Sequence, residues 1–308
     1  MAILRCPTNN ATVIRRGMGA VVTKTLSVEG YSGGQVPEGG DQSQQLRPFV
    51  RWAGSKQRLL KFILPHIPNT YKTYYEPFLG SGALFFALTP DRAELGDHCS
   101  ELIAAYRAVR DEVGAVIQYL EPLKQDRKEY YRVRANRSKG KYKRAAEFIY
   151  LNKSCWNGLY RVNLRGEFNV PYGLPKGERV FDRDHLHLCA AALGKHGVRL
   201  CSGDFEAIVA GAGRGDFVYF DPPYVTRHNN NGFIEWNERI FSWGDQLRLA
   251  KLAQRLKTKG AHVIVSNADH ADVIALYPDF RSIRIVRSST LASNPAKRTT
   301  TSEILLVG

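Results

Sequence analysis

The sequence predicts an α/β protein built on a doubly wound sheet, and three observations indicate this. Short apolar runs typical of buried strands alternate with amphipathic helical segments along most of the 308 residues. A glycine-rich turn follows one of these runs, and a pair of prolines follows another. Both features occur where such sheets bind ligands, because parallel strands present their carboxyl ends at one edge.

The first elements follow from the pattern in chain order. Residues 73–78 read as a strand, and after a glycine turn an apolar helix begins at Ala83. Residues 92–97 form a second short strand, and residues 100–110 a helix. One face of that helix is apolar, with Leu102, Ile103, Tyr106 and Val109. This order of strand, helix, strand and helix is the first half of a doubly wound sheet.

The later elements continue the same alternation. Residues 198–201, 217–220 and 262–266 read as buried strands, and residues 246–257 as an amphipathic helix. The chain closes with residues 282–286 and 303–307, two strands that could pair as a hairpin. Residues 1–46 mix glycine, serine and glutamine without a period, so we expect a mostly disordered leader there.

Composition bounds the class of protein. Forty-four Lys and Arg residues against 29 Asp and Glu give a net charge of +15, which favours a polyanionic partner such as nucleic acid. The five cysteines form no Cys-x-x-Cys pair, which indicates neither a zinc site nor a disulfide framework. No apolar run is long enough to span a membrane, and residues 1–10 do not resemble a secretory signal. We expect a cytoplasmic, nucleoid-associated protein.

The middle of the chain has a different character. Residues 123–144 contain ten Lys or Arg and two acids, with Tyr130, Tyr131 and Tyr142 interleaved. This composition suits phosphate contact and base stacking, although a solvated helix face gives the same pattern. Residues 157–173 follow as short-strand and turn material. We therefore predict an insert at residues 115–185, with the α/β domain formed by residues 47–114 and 186–308.

A glycine loop, residues 76–82, lies between a predicted strand and a predicted helix. Glycine lets the backbone approach a ligand closely, and Asp97 at the end of the next strand can accept hydrogen bonds from ribose hydroxyls. A tight turn beside an unrelated surface aspartate would look the same.

The second motif is Asp221-Pro222-Pro223-Tyr224, directly after the apolar run 217–220. The prolines stiffen the backbone and force the chain out of the sheet, which holds Asp221 at a strand end. The Asp221 carboxylate and the Pro222 carbonyl can accept hydrogen bonds from an exocyclic amine, and Tyr224 offers a face for a planar base. The motif therefore indicates chemistry at an amino group.

The third motif is residues 51–56, Arg-Trp-Ala-Gly-Ser-Lys. Trp52 and Lys56 could clasp a ligand carboxylate. Taken alone, the motif fits a helix start with a core tryptophan at least as well.

Together the three motifs resemble the Dam-type DNA adenine-N6 methyltransferases, from about Pro48 to Gly308. The most specific stretch, residues 157–173, is similar to the recognition hairpin of the GATC-methylating members. The resemblance implies a Rossmann-like methyltransferase sheet with an inserted, mostly helical DNA-recognition domain. It also implies S-adenosylmethionine as methyl donor, double-stranded DNA as partner, and transfer to a flipped-out adenine.

The resemblance assigns roles to matching residues. Asp221, Pro222 and Tyr224 would be catalytic. The cofactor residues would be Trp52, Lys56, Glu76, Gly80, Gly82, Asp97, Asp204, Phe205 and Asp221. DNA would be contacted by Arg51, Asn157, Leu159, Arg161 and Asn163. Ser55 departs from the family, which carries a second glycine there.

Other activities stay open at this point. A methyltransferase of RNA adenine or of DNA cytosine N4 would share these motifs, and so would a silent DNA-binding protein with the same fold. A dinucleotide dehydrogenase would need a fuller Gly-x-Gly-x-x-Gly than residues 80–83 provide. We expect a monomer that needs no metal; a cognate restriction endonuclease stays open as a partner, and a restriction-modification role with it.

Overall fold

The structure is a computed structural model, and it describes residues 23–26, 46–175, 180–225, 241–288 and 300–308. The chain divides into two compact units. Unit 1 comprises residues 1–40, 62–76 and 206–308, and unit 2 comprises residues 41–61 and 77–205.

The described part of the chain contains eight strands: β1 (Thr23–Leu26), β2 (Tyr74–Glu76), β3 (Arg92–Asp97), β4 (Gly197–Ser202), β5 (Phe217–Phe220), β6 (His262–Ala268), β7 (Arg281–Ser288) and β8 (Thr300–Val307). The α-helices of the same part are α1 (Leu60–Ile63), α2 (Ala83–Leu88), α3 (Ser100–Leu120), α4 (Arg127–Ala135), α5 (Lys141–Ser154), α6 (Arg183–Leu193), α7 (Phe205–Ile208), α8 (Trp243–Thr258) and α9 (Ala271–Ile274). Single 3₁₀ turns occur at Lys56–Arg58, Leu64–His66 and Trp156–Gly158.

Unit 1 is a sheet in the order β1-β7-β8-β6-β5-β2. The pairs β2–β5, β5–β6 and β1–β7 are parallel. β8 is antiparallel to both of its neighbours, β6 and β7. The predicted pairing of the last two strands is therefore confirmed, with Ile283 opposite Leu305.

The core of unit 1 explains why its central strands carry continuous apolar runs. All four residues of β5 are buried, as are Val263 to Val265 of β6 and Ile304 to Leu306 of β8. Strands covered on both faces read as unbroken hydrophobic stretches. Helix α8 begins with a capping box formed by Ser242 and Asp245 and buries its leucine-rich face.

Unit 2 combines a parallel strand pair with a set of helices. β3 and β4 pair over their whole length, from Arg92 opposite Gly197 to Asp97 opposite Ser202. The apolar face predicted for α3 is buried, because Leu102, Ile103, Tyr106 and Val109 are all fully covered. The helix extends past the predicted end to Leu120 and contains a non-helical residue, Glu112. The predicted α/β class, with mostly parallel strand pairing, is confirmed.

The structure bears on two predicted segments, the leader at residues 1–46 and the insert at residues 115–185. β1 lies inside the segment 1–46 that was predicted to be mostly disordered, and the rest of that segment up to Gln45 lies outside the described residues. The predicted ends of the insert, residues 115 and 185, fall within α3 and α6. The division at those residues stays a prediction. Across the described segments, no helix is both long and apolar enough to cross a membrane.

Candidate active site

The Asp-Pro-Pro-Tyr motif directly follows β5, a strand flanked by parallel partners on both sides. Phe217 to Phe220 are buried, and so is Pro222. The sheet therefore fixes the backbone up to Phe220, and the two prolines restrict it beyond. Asp221 is held at the carboxyl end of a central strand, as the sequence predicted.

Tyr224 is fixed by a residue that the sequence did not single out. Its hydroxyl donates a 2.7 Å hydrogen bond to Oε2 of Glu303. Glu303 is only 6% exposed and lies on β8, between Ala268 of β6 and Ile285 of β7. Burial raises the pKa of Tyr224 well above its ordinary value, and the carboxylates of Asp221 and Glu303 add to the effect. Tyr224 therefore keeps its proton and acts as a hydrogen-bond donor.

Glu76 adds a third carboxylate to this part of unit 1. It ends β2 and is buried. Burial, followed by the nearby Asp221, raises the pKa of Tyr219, and Glu76 and Glu303 contribute in the same direction. Three carboxylates thus act on one buried phenol, whose hydroxyl is bonded to Ser266 at 2.8 Å. Such an arrangement favours a ligand that carries or develops positive charge.

The glycine loop in unit 2 is tied to the end of β3. Gly80 has a φ of +48° and donates its backbone N–H to Oδ2 of Asp97 at 2.9 Å. The Cys99 N–H donates to Oδ1 of Asp97, also at 2.9 Å. Burial raises the pKa of Asp97, while these N–H donors act to lower it. Each carboxylate oxygen still has a second lone pair that could accept a ribose hydroxyl.

The predicted clasp lies against the same loop. A Cβ on Gly80 would be 2.8 Å from Cδ1 of Trp52, so only glycine fits beneath the indole. Ser55, the departure from the family pattern, bonds Ser81 at 2.8 Å, and the positive φ of this turn falls on Gly54 instead. The structure thus accommodates the serine.

Lys56 is 5% exposed and donates a 2.8 Å hydrogen bond to the carbonyl of Gly54. It opens the 3₁₀ turn Lys56–Arg58, so the motif is a helix start, and its role as a clasp stays a prediction.

The end of β4 brings aromatic surface to this cluster. Phe205 is buried and stacks on Phe78, with ring centroids 5.3 Å apart. The Gly203 N–H donates to the Asp97 carbonyl, which places this strand end beside the ribose candidate, while Asp204 is exposed. Phe78 was not predicted as a site residue, although it lies inside the glycine-loop motif.

Tyr106 is a second residue that the sequence assigned only to the core. Its hydroxyl donates to the carbonyl of Gly80 at 3.2 Å, and a Cβ on Gly82 would lie 3.2 Å from that hydroxyl. Trp52, Gly80, Gly82, Asp97 and Phe205 thus form one cluster within unit 2. We refer to these five residues as the donor cluster, after the methyl donor that the resemblance implies.

The predicted DNA-contacting residues also assemble within unit 2. The side chain of Asn152 accepts from the Arg51 N–H at 2.8 Å and donates to the Arg51 carbonyl at 2.7 Å and the Gly158 carbonyl at 3.3 Å. Asn157 and Gly158 both have positive φ, which suits an Asn-Gly pair, and Arg51 fills the space where a Gly158 side chain would be. Arg51 is therefore packed against the start of the predicted recognition hairpin, residues 157–173.

The predicted recognition hairpin folds back on itself in antiparallel fashion, with bridges between Cys155 and Tyr172 and between Val162 and Phe168. Arg161 is exposed, and its Nε donates to Oδ1 of Asn169 at 2.8 Å. The side chain of Asn163 bonds within the hairpin turn, to the Arg165 and Glu167 N–H groups and to the Glu167 carboxylate. Asn163 thus shapes the turn, whatever it does toward DNA; Leu159 is half-buried.

Some side chains of the basic run, residues 123–144, are buried or paired within the protein. This corrects the expectation that Tyr130 is available for base stacking. Tyr130 is fully buried and donates to the Val170 carbonyl at 2.8 Å, so its ring cannot stack on a base. Arg137 is paired with Glu101 and Glu147, and Arg144 with Glu101. Exposed cations that could contact phosphates are Lys124, Arg127, Lys128, Lys139 and Lys143.

Large exposed apolar side chains lie next to the predicted DNA contacts and were missed. Trp156, beside Asn157, is 53% exposed, and Leu164 in the hairpin turn is 95% exposed. An exposed indole is a residue type that stacks on nucleic-acid bases. The sequence did carry a signal for Trp156, which is a tryptophan within a polar turn segment.

Within the described segments, no group of three or more His, Cys, Asp or Glu side chains could hold a metal ion. The polar and aromatic groups of the donor cluster instead suit an organic ligand with a ribose and a planar ring.

Comparison with known proteins adds an independent finding. A family model described as D12 class N6 adenine-specific DNA methyltransferase matches residues 52–291. The chain is 37% identical over 269 residues to the Type II methyltransferase M1.LlaDCHI of Lactococcus lactis subsp. cremoris, covering 85% of this chain and 95% of the relative. It is 35% identical to the Type II methyltransferase M.MjaIII of Methanocaldococcus jannaschii, covering 82% and 96%. It is 31% identical to the DNA adenine methylase of Haemophilus influenzae, covering 85% and 93%.

Proposed function

The chain belongs to the D12 class of N6 adenine-specific DNA methyltransferases, and we propose that it methylates the adenine of GATC in double-stranded DNA with S-adenosylmethionine as donor. The observation that carries the proposal is the motif at the end of β5, where Asp221 follows a buried strand and Tyr224 is fixed by Glu303.

The donor cluster supports the choice of methyl donor. Asp97 has spare acceptor capacity for ribose hydroxyls, and Phe78 and Phe205 offer a flat apolar surface for adenine. Lys56 would bind the methionine carboxylate, beside Trp52. The cradle between Trp52 and Gly80 admits no side chain at residue 80. When bound, S-adenosylmethionine supplies a methyl group on a positively charged sulfonium.

The target amine would be received by Asp221, Pro222 and Tyr224. Adenine N6 is inaccessible inside a duplex, so the base must leave the stack, at a cost of a few kcal/mol. Tyr224 would offset part of this cost by stacking on the flipped base. N6–H groups would donate to the Asp221 carboxylate and the Pro222 carbonyl. Positive charge develops on N6 during methyl transfer, so these preorganised acceptors stabilise the transition state more than the ground state.

The recognition hairpin would read the target sequence. Arg161 can pair with guanine O6 and N7 in the major groove, a contact worth about 1–3 kcal/mol of discrimination. Arg51, Asn157, Leu159 and Asn163 would also contact DNA, and exposed lysines of the basic run would contact phosphates. GATC rests on the resemblance of residues 157–173 to hairpins of GATC-methylating enzymes.

The biological setting is part of the same proposal. Two of the relatives described above are named Type II methyltransferases, which supports a restriction-modification role with a cognate endonuclease. We further propose that the protein acts as a monomer in the cytoplasm on chromosomal or phage DNA.

The decisive experiment measures transfer of labelled methyl groups from S-adenosylmethionine to duplexes that contain GATC or a single-base variant of it. Mass spectrometry of the digested product should detect N6-methyladenine and no N4-methylcytosine.

Asp221→Ala should abolish transfer while DNA affinity stays within about twofold, whereas the matched control Asp279→Ala, at an exposed aspartate of unit 1, should retain both. Equal transfer to all duplexes would refute GATC as the target, and turnover by Asp221→Ala would refute the assigned chemistry.

A further inference from the structure

Tyr160 makes two contacts that the proposed function leaves unexplained. Its ring stacks on the indole of Trp52, with centroids 5.5 Å apart and planes at 21°. Its hydroxyl donates a 2.9 Å hydrogen bond to Oε2 of Glu101. The ring of Phe148 lies against both, 6.4 Å from Trp52 and 5.7 Å from Tyr160 between ring centroids. Tyr160 therefore joins the recognition hairpin to the clasp.

The anchor at each end of this contact is firm. Glu101 is held by ion pairs with Arg137 and Arg144, so the acceptor of the Tyr160 hydroxyl has little freedom. Trp52 in turn covers Gly80 so closely that residue 80 cannot carry a side chain. A displacement of Tyr160 therefore removes a ring that supports the indole of Trp52.

A second contact joins the same two segments. Asn152 bonds both backbone groups of Arg51 and the carbonyl of Gly158. Residues 51–52 and residues 158–160 are thus held together at both ends. The next residue along the hairpin is Arg161, which we have assigned to base recognition, and Trp52 belongs to the donor cluster.

We propose that Tyr160 is a positioning residue that couples DNA recognition to binding of the methyl donor, an inference that rests on the proposed function. Target DNA bound to the hairpin stabilises the Tyr160 ring in this stacked position, and the ring holds Trp52 against the glycine loop. The stacked ring carries the coupling, while the hydroxyl orients it. Linkage is reciprocal, so DNA and donor raise each other's affinity by the same factor.

The test uses the donor analogue sinefungin and a duplex that the wild-type protein methylates in the transfer assay. Calorimetry gives the Kd of sinefungin with and without that duplex. For the wild type we expect the duplex to tighten sinefungin binding at least about fivefold, the lower end of typical couplings. Tyr160→Phe keeps the ring and should keep most of this factor, whereas Tyr160→Leu should bring it below about twofold.

Two controls separate coupling from folding. Tyr119→Leu changes a tyrosine of α3 that is 42% exposed and should keep the wild-type factor. Thermal unfolding shows whether Tyr160→Leu is folded; if it is not, Tyr160→Met takes its place.

The outcomes distinguish the two levels of inference. A wild-type protein that methylates the duplex but binds sinefungin equally well with and without it overturns the coupling and leaves the proposed function intact. A full factor in Tyr160→Leu, or equal losses in Tyr160→Phe and Tyr160→Leu, overturns the role of the ring. A wild-type protein that transfers no methyl group to DNA overturns the proposed function and this inference with it.

Discussion

Tyr224 and Glu303 lie 79 residues apart in the sequence, and the phenol of the first donates a 2.7 Å hydrogen bond to the carboxylate of the second. The ladders of β6 and β7 hold Glu303 from both sides. The orientation of the Tyr224 ring is therefore set by the sheet, although its backbone lies beyond the end of β5. A base that stacks on this ring meets a surface that is already in place, which reduces the entropy lost on binding.

Glu303→Leu should lower the rate of methyl transfer far more than Glu303→Gln. An amide oxygen can still accept from the Tyr224 hydroxyl, whereas leucine leaves a buried donor without an acceptor, at a cost of about 1–3 kcal/mol. If that cost appears in the transition state, single-turnover rates fall roughly tenfold or more. Glu206→Gln, at a surface ion pair with Arg248 in the same unit, should have no effect. Equal losses of transfer rate in Glu303→Leu and Glu303→Gln would show that the rate depends on the negative charge of Glu303 and not on its hydrogen bond with Tyr224.

Tyr224 should not ionise in the working pH range. Burial disfavours the phenolate, and so do the negative charges of Asp221 and Glu303, so the pKa moves upward and the phenol stays protonated as the pH rises. The rate profiles of the wild type and Tyr224→Phe should therefore run parallel up to about pH 10, the ordinary pKa of tyrosine. Steady-state assays across alkaline buffers test this. An alkaline loss of activity that is present in the wild type and absent in Tyr224→Phe would show that the phenol titrates.

Gly80→Ala should weaken donor binding. The φ of +48° disfavours any side chain, and the added Cβ would press on Trp52 at 2.8 Å. Displacing the indole should raise the Kd of sinefungin roughly tenfold or more, which corresponds to a loss of about 1.4 kcal/mol or more of binding free energy. Calorimetry measures the Kd, and thermal unfolding measures the stability.

Gly114→Ala is the matched control for this change. A Cβ at Gly114 would meet nothing within 4 Å, and the residue lies inside α3. Alanine favours a helix over glycine by roughly 0.5–1 kcal/mol, so this variant should be slightly more stable and bind sinefungin normally. Normal binding by Gly80→Ala would exclude the loop as part of the donor site.

The parts of the fold and site that the sequence predicted are those with local signals. A continuous apolar run identified β5, and the two prolines after it located Asp221. Glu303 carried no such signal, because a glutamate before an apolar strand end is usually a solvated residue, and its partner is distant in the chain. Only the pairing of β8 with β6 and β7 reveals its burial.

Two predicted contacts with nucleic acid involve residues that also have a structural use. Tyr130 was grouped with base-stacking tyrosines, yet Tyr130 and Val133 form the buried face of α4, three residues apart as helical packing requires. Asn163 is predicted to contact DNA, and its side chain also bonds the backbone of its own turn before Gly166, as asparagine side chains often do. In both cases the structural use of the residue competes with the proposed functional one.

Arg161→Ala should reduce sequence discrimination more than DNA affinity. Nε of Arg161 is held by Asn169, and the terminal nitrogens retain donors for guanine. Loss of a bidentate contact costs about 1–3 kcal/mol of discrimination, so the ratio of kcat/KM between GATC and a guanine-substituted duplex should fall roughly tenfold. Asn169→Ala, which removes the side-chain acceptor of Arg161 Nε, should cause a smaller fall in the same ratio.

Lys139→Ala, in the exposed basic run, provides the contrast for Arg161. A phosphate contact carries no sequence information, so this variant should weaken binding to every duplex equally and reduce the salt dependence of binding by about one unit of slope. Fluorescence titrations at several salt concentrations, with kcat/KM for each duplex, separate the two effects. If Arg161→Ala behaves like Lys139→Ala, with an unchanged ratio between duplexes, the arginine contacts phosphate and the reading of guanine must lie with another residue of the hairpin.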